Sequence, residues 1–174
     1  MAICKIDDFI NQRKSIGKLF ALDVGKKTIG IAVSDPDWKV ASPVTILRRL
    51  KFTPDMEKLN ALALSHEVGG FVIGWPLNMD GSMGPRCDSV RDFTYALLRL
   101  KDWPVLWQDE RLSTVSVERA MIDADMTRQK RSERRDALAA TWILQSALDV
   151  MAGQDYKDGH GRDHKSGDKK LLKG

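Results

Sequence analysis

Four carboxylates in this chain occupy positions that their neighbours define sharply. Asp23 closes an apolar run, Leu19-Phe20-Ala21-Leu22-Asp23; Val24-Gly25-Lys26-Lys27-Thr28 follows, and then a second apolar run, Ile29 to Val33, ending in Ser34-Asp35. Two strand-like runs joined by a turn with a glycine and two lysines read as a β-hairpin, so Asp23 stands at the mouth of a sheet. An unpaired charge inside a strand is very costly to bury. The arrangement suits a divalent metal, a phosphate held through a metal, or an ion pair with Lys26 or Lys27. Asp109 and Glu110 end a later run that begins Val105-Leu106-Trp107; two solvated charges leaning on Arg111 would be the simplest account of them. Asp136 shares a helical face with Ala140, Ile143 and Ala147, at intervals of three and four. Those neighbours pack rather than face water, and Asp is almost never fully buried without a partner. Stabilisation of a helix N-terminus would also explain it.

If Asp23, the Asp109-Glu110 pair and Asp136 converge, they repel one another, and a divalent cation is the natural remedy. Mg²⁺ prefers oxygen ligands, often one or two carboxylates with waters and substrate phosphates completing the octahedron. Two such ions about 3.5–4 Å apart activate a water and stabilise the leaving oxygen of a phosphodiester. The chemistry is then metal-assisted hydrolysis of a nucleic acid backbone. The loop from Gly74 to Gly84 supplies glycines for close backbone approach, with Asn78 and Ser82 able to contact phosphate or ribose. The segment 128–135 carries five positive charges (Arg128, Lys130, Arg131, Arg134, Arg135) against one negative. It is either a solvated linker or a salt-dependent grip on a phosphate backbone, and it leads directly into Asp136.

The elements that must position these residues follow from patterning. After the hairpin, Val40 to Leu47 reads as a third strand, with Pro43 favouring an edge or a bulge. Thr53-Pro54-Asp55 predicts a helix start, with Thr53 as N-cap, and Met56, Leu59, Leu62, Ala63 and His66 give its buried face. His66 reads as a boundary residue, and Gly69-Gly70 as the helix end. Phe71 to Trp75 predicts a strand buried on both faces. A second helix begins at Pro85, with Val90, Phe93, Leu97 and Leu98 as its stripe, and Val105 to Trp107 predicts another buried strand. A third helix is expected over about Thr114 to Asp125, and a last one ends near Met151. The order β-β-β-α-β-α-β-α-α implies an α/β fold: a mixed five-stranded sheet, three antiparallel strands then two parallel, with helices on both faces. Ligands of such sheets gather at the carboxyl ends of the parallel strands, where Asp23 and Asp109-Glu110 fall.

At 174 residues one domain is expected. It comprises an extension over 1–17 with one short helical turn around Ile6, Phe9 and Ile10, the folded domain over 18–151, and a basic tail over 152–174 with little to bury, read as disordered. His160 and His164 lie in that tail, without a metal role. Hydrophobic residues at 43% and charged residues at 30% are ordinary for a globular protein. No apolar stretch approaches the roughly 20 residues of a membrane span, and the first residues lack the basic leader and apolar core of a signal peptide. Cys4 and Cys87 are far apart and without ligand spacing, which argues against a disulfide framework or a zinc site and favours a reducing cytoplasm. A net charge of +4 and a pI near 9.1 fit a phosphate-rich partner.

Together these residues resemble the YqgF/RuvX family of RNase H-like proteins, pre-16S rRNA processing nucleases related to Holliday junction resolvases. The likeness runs from about Lys18 to Asp149. It rests on Leu22-Asp23-Val24-Gly25 with Ile29 to Asp35, on Gly74 to Ser82, on Asp109-Glu110-Arg111-Leu112-Ser113-Thr114, and on Asp136-Ala137-Leu138-Ala139-Ala140. Trp75 departs from the smaller aliphatic residue usual in the family. The resemblance implies an RNase H-like fold and a nuclease whose catalytic, metal-binding set is Asp23, Glu110 and Asp136 with Mg²⁺ or Mn²⁺. Asp109 is the neighbouring acid, of undivided role. Phosphates would be positioned by Lys26, Lys27, Asn78, Ser82, Arg111 and the 128–135 run. The implied substrate is the 5′ end of precursor 16S rRNA in ribosome biogenesis. Two alternatives are a junction resolvase acting on branched DNA and an RNA-binding assembly factor that does not cut. The protein would be a monomer or a homodimer. The Asp23-Val24-Gly25 hairpin is also similar to the phosphate loop of actin-like ATPases and sugar kinases, but those need two such domains around a cleft.

Overall fold

The apolar runs flanking Gly25 form the hairpin their pattern predicts. Strands β1 (Lys18–Val24) and β2 (Thr28–Ser34) pair antiparallel, with Asp23 opposite Gly30. The Gly25 N–H closes the turn by donating to the Thr28 carbonyl at 2.9 Å. The computed structural model describes residues 3–111 and 128–160, with the side chains of 3–111 and 137–153. Strand β3 (Ala41–Arg48) pairs antiparallel with β2 and forms an edge. The register shifts between Ile31 and Ala32, where Pro43 is paired, so the missing proline N–H falls at an irregularity of the ladder. Strand β4 (Val68–Trp75) pairs parallel with β1, and β5 (Val105–Asp109) parallel with β4. The order β3-β2-β1-β4-β5 is the RNase H-like arrangement, three antiparallel strands followed by two parallel ones.

Helices cover both faces. They are α1 (Ile6–Asn11), α2 (Arg13–Ile16), α3 (Phe52–Ser65), α4 (Pro85–Leu100) and α5 (Arg128–His160). Side-chain alternation along the strands divides the core. Phe20, Leu22, Phe71 and Ile73 pack with Met56 and Leu59 of α3 and Phe93 of α4. Leu19, Ala21, Val72 and Leu106 pack with Ala140, Ile143, Leu144 and Ala147 of α5.

Four boundaries differ from the sequence reading. Helix α3 begins at Phe52 with Lys51 at its N-cap and no side-chain cap. Asp55 Oδ2 instead accepts from the Leu50 N–H at 2.9 Å, satisfying a donor ahead of the helix, so Thr53 is not needed as a cap. The helix ends at Ser65, and Gly69-Gly70 belong to β4 rather than to a helix end. A Cβ on Gly69 would lie 1.9 Å from the Ile16 carbonyl oxygen, so the glycine lets the strand pass the backbone ahead of β1. That preceding segment packs closely: Ile3 bridges Val105, Cys4 N–H donates to the Val105 carbonyl at 2.7 Å, and buried Phe9 meets the Trp38 ring at 5.6 Å. It thereby covers the open edge of β5. Helix α5 continues past Gly153 to His160; one interior glycine costs about 1 kcal/mol, too little to end a helix of this length. The helix expected over Thr114 to Asp125 lies outside the described residues. Among the described residues no helix is long and apolar enough to cross a membrane.

Candidate active site

Asp23 continues the series Leu19 and Ala21 along β1, which faces α5. Leu22 is opposite Ile73 of β4, so Gly74 stands level with Asp23. Glu110 follows β5 by one residue and is anchored by its own N–H, which donates to the Trp75 carbonyl at 3.3 Å. Its side chain lies back across Gly74. A Cβ at position 74 would stand 2.0 Å from Glu110 Oε1 and 2.8 Å from Ile143 Cδ1. Adjacent strands are about 4.8 Å apart, so β4 separates Asp23 from the end of β5 by about 10 Å. The side-chain-free notch at Gly74 lets the Glu110 carboxylate cross that gap toward Asp23.

The electrostatics agree with that closeness. Burial pushes the Glu110 carboxyl up to about 7, with the negative charges of Asp23 and Asp109 adding to the rise and Arg86 opposing it. Asp109 behaves in the opposite way. Hydrogen bonds from Arg111 hold its carboxyl below the usual range against a smaller opposing effect of burial. Arg111 Nε lies 2.9 Å and Nη2 2.7 Å from Asp109 Oδ2. The two adjacent acids are therefore distinct: Asp109 is neutralised by Arg111, and Glu110 is held beside Asp23.

Asp136 falls in α5 one turn before Ala140, but its side chain lies outside the described residues, as do those of Arg128, Lys130, Arg131, Arg134 and Arg135. Among the described residues no three acid, histidine or cysteine side chains group as a metal site. The pair whose charges act on each other, Asp23 and Glu110, suits a hard divalent cation by the chemistry of its donors. Both are oxygen ligands, and each charge makes the other costly until a cation neutralises them. Lys26 and Lys27 are exposed in the β1–β2 turn and pair with no carboxylate among the described residues. Arg49 fixes that turn by donating from Nη1 to the Gly25 carbonyl at 2.7 Å.

Asn78 and Ser82 are exposed but bonded to each other: Asn78 Nδ2 donates to Ser82 Oγ at 3.0 Å, and Ser82 Oγ to Asp80 Oδ1 at 2.6 Å. With Gly81 at φ 85° and its N–H on the Asn78 carbonyl, they give the loop a fixed shape. The loop, Arg86, Glu110 and Arg111 line a cleft of about 370 Å³. Sequence reasoning singled out neither Gly74 as a notch nor Arg86. The position of Arg86, opening a helix just after the Gly-rich loop, was the available signal. Trp75, the departure from family habit, stacks on Trp107 with ring centroids 4.1 Å apart.

The sequence pattern of the RuvX family, described as Holliday junction resolvase, matches residues 17–150. A Rhodobacter capsulatus protein described as "Putative pre-16S rRNA nuclease" is 47% identical over 147 residues, covering 84% of this chain and 92% of its own. A Nitrobacter winogradskyi protein of the same description is 49% identical over 145 residues, covering 83% and 89%. A solved structure of T. thermophilus RuvC in complex with Holliday junction substrate covers 79% of this chain and 96% of its own, at 11% identity and a TM-score of 0.44. A mixed sheet with Asp23 near the end of its central strand β1 and Glu110 just past the edge strand β5, the charge of one acting on the other, is the frame of an RNase H-like nuclease. The chain belongs to the RuvX family.

Proposed function

We propose that this chain is a divalent-metal-dependent nuclease of the cytoplasm that cuts the phosphodiester backbone of structured RNA, with precursor 16S rRNA as its substrate. The observation that carries the reading is the Glu110 carboxylate laid across Gly74 beside Asp23. Asp23, Glu110 and Asp136 hold Mg²⁺ or Mn²⁺, which when bound supplies water activation and stabilises the leaving oxygen. Gly74 leaves the space through which Glu110 reaches Asp23. Asp109 keeps Arg111 in place at the cleft wall. Lys26, Lys27, Arg111 and the cations of 128–135 attract and orient the backbone phosphates.

The test is cleavage of a precursor 16S rRNA fragment in Mg²⁺ by wild type and by Asp23→Asn. Wild type is expected to cut, and the variant to lose at least about 100-fold in rate, in the range that loss of one precisely placed electrostatic group produces, with its circular dichroism unchanged. Equal rates would refute the proposal. A second reading, resolution of four-way DNA junctions, is favoured by the description of the matching family; a four-way junction in the same assay and the mass in solution separate the two. Rescue of a deletion strain by Asp23→Asn would instead indicate an assembly factor that holds RNA without cutting it.

A further inference from the structure

The cleft beside Glu110 is reached by two guanidinium groups, and they differ in what they already hold. Arg111 is matched, with its Nε and Nη2 on the Asp109 carboxylate. Further along α4, Arg91 is matched as well, with Asp88 at 3.1 Å. Arg86 is in the first turn of α4, exposed, and pairs with no carboxylate among the described residues. It nevertheless lines the same cleft as Glu110.

The loop that contributes Asn78 and Met79 to the cleft's lining has a fixed shape of its own. The Asn78 N–H donates to the Ser82 carbonyl at 2.9 Å, the Gly81 N–H to the Asn78 carbonyl at 2.8 Å, and the Ser82 N–H to Asp80 Oδ1 at 2.9 Å. These polar groups satisfy one another, so the loop shapes the cleft, while Arg86 forms no salt bridge among the described residues. A guanidinium presents a planar fork that matches a phosphate through two hydrogen bonds. An arginine with no salt bridge among the described residues, whose charge already favours the ionised form of Glu110, has a phosphate of the bound strand as its natural complement.

We propose that this cleft is a phosphate subsite in which Arg86 grips a backbone phosphate of the bound strand beside Glu110. The proposal rests on the nuclease reading. Arg86 adds an unshared positive charge on this side, beside Arg111, which Asp109 holds in place at the wall.

The experiment measures binding rather than cleavage. Fluorescein-labelled precursor 16S rRNA fragment and a labelled four-way DNA junction are titrated with the full chain without divalent cation, over a series of KCl concentrations. Wild type is expected to bind with affinity falling linearly in log salt. Arg86→Ala is expected to weaken binding several-fold and to lower the magnitude of the salt slope by about one. Arg86→Lys, which keeps the charge, is expected to restore the slope. Arg86 is exposed, so both variants should melt with wild type. An Arg86→Ala slope equal to that of wild type overturns the subsite while leaving the nuclease reading standing. Failure of wild type to bind either probe overturns the nuclease reading and the subsite with it.

Discussion

A carboxyl that keeps its proton to about pH 7 in the folded chain works against folding at neutral pH, and Glu110 is such a group. Its folded value lies above the ordinary 4.5, so between about 4.5 and 7 the folded state binds more protons than the unfolded one. Stability should then fall as pH rises through that window, by up to about 3 kcal/mol once both states have ionised. Glu110→Gln keeps the shape without the charge. It should match wild type near pH 4 and exceed it in urea denaturation at pH 8 without divalent cation, by about 1–3 kcal/mol. A gap that does not grow with pH would mean that the carboxylate is not held in this place. Gly74→Ala tests the same geometry from the other side. The new Cβ would fall 2.0 Å from Oε1, so Glu110 must swing away. Cleavage should fall about as far as in Glu110→Ala, at a folding cost of about 1–3 kcal/mol, typical of overpacking. Retained cleavage would show that the notch is not required. Sequence reasoning reached Asp23 and the Asp109-Glu110 pair because strand-end acids announce themselves by pattern. It did not separate the pair, because what divides Asp109 from Glu110 is a local arginine for one and a glycine on a neighbouring strand for the other.

At the scale of elements, the hairpin, the edge strand with Pro43 and the two buried parallel strands were all legible as apolar runs bounded by turn residues. The segment ahead of β1 was legible only as a short helical turn around Ile6, Phe9 and Ile10, which is α1; its second helix and its packing into the core were not. Its helices have six and four residues, too short to form without tertiary support. What fixes it is contact that sequence spacing does not encode: Phe9 buried against Trp38, Trp38 Nε1 donating to the Gly17 carbonyl at 2.6 Å, and Ile16 carried over Gly69. The segment is therefore part of the domain's core on the α5 side, and Phe9→Ala should destabilise the whole domain. A loss of about 3 kcal/mol in urea denaturation is expected for a fully buried phenylalanine. A loss under about 0.5 kcal/mol, ordinary for a surface substitution, would mean that the segment only rests on the surface. Such a lesion should lower cleavage only through the folded fraction, and so leave the Mg²⁺ dependence of the folded enzyme unchanged.

For the whole molecule, charge sets a problem that position must solve. The net charge is only +4, and the end of the sheet that must receive a phosphate backbone carries Asp23 and Glu110. A substrate arriving there meets repulsion unless cations surround those acids, so the arrangement of the basic residues matters more than their number. Lys26 and Lys27 lie on one side in the β1–β2 turn, and the five cations of 128–135 belong to the helix that leads to Asp136. If those five grip the backbone, they read no sequence, because phosphate contacts position a ligand without specifying bases. Replacing Arg131, Arg134 and Arg135 together with alanine should then weaken binding of RNA and of junction DNA to a similar degree. The salt slope should fall by up to about three for both, at about 0.7–0.9 per lost phosphate contact. Cleavage at saturating substrate should change far less than binding, since none of the three is expected among the metal ligands. A loss confined to one nucleic acid would instead make the run a reader of shape. An unchanged slope for both would return it to a solvated stretch of helix and leave the turn lysines and the cleft as the chain's hold on its substrate.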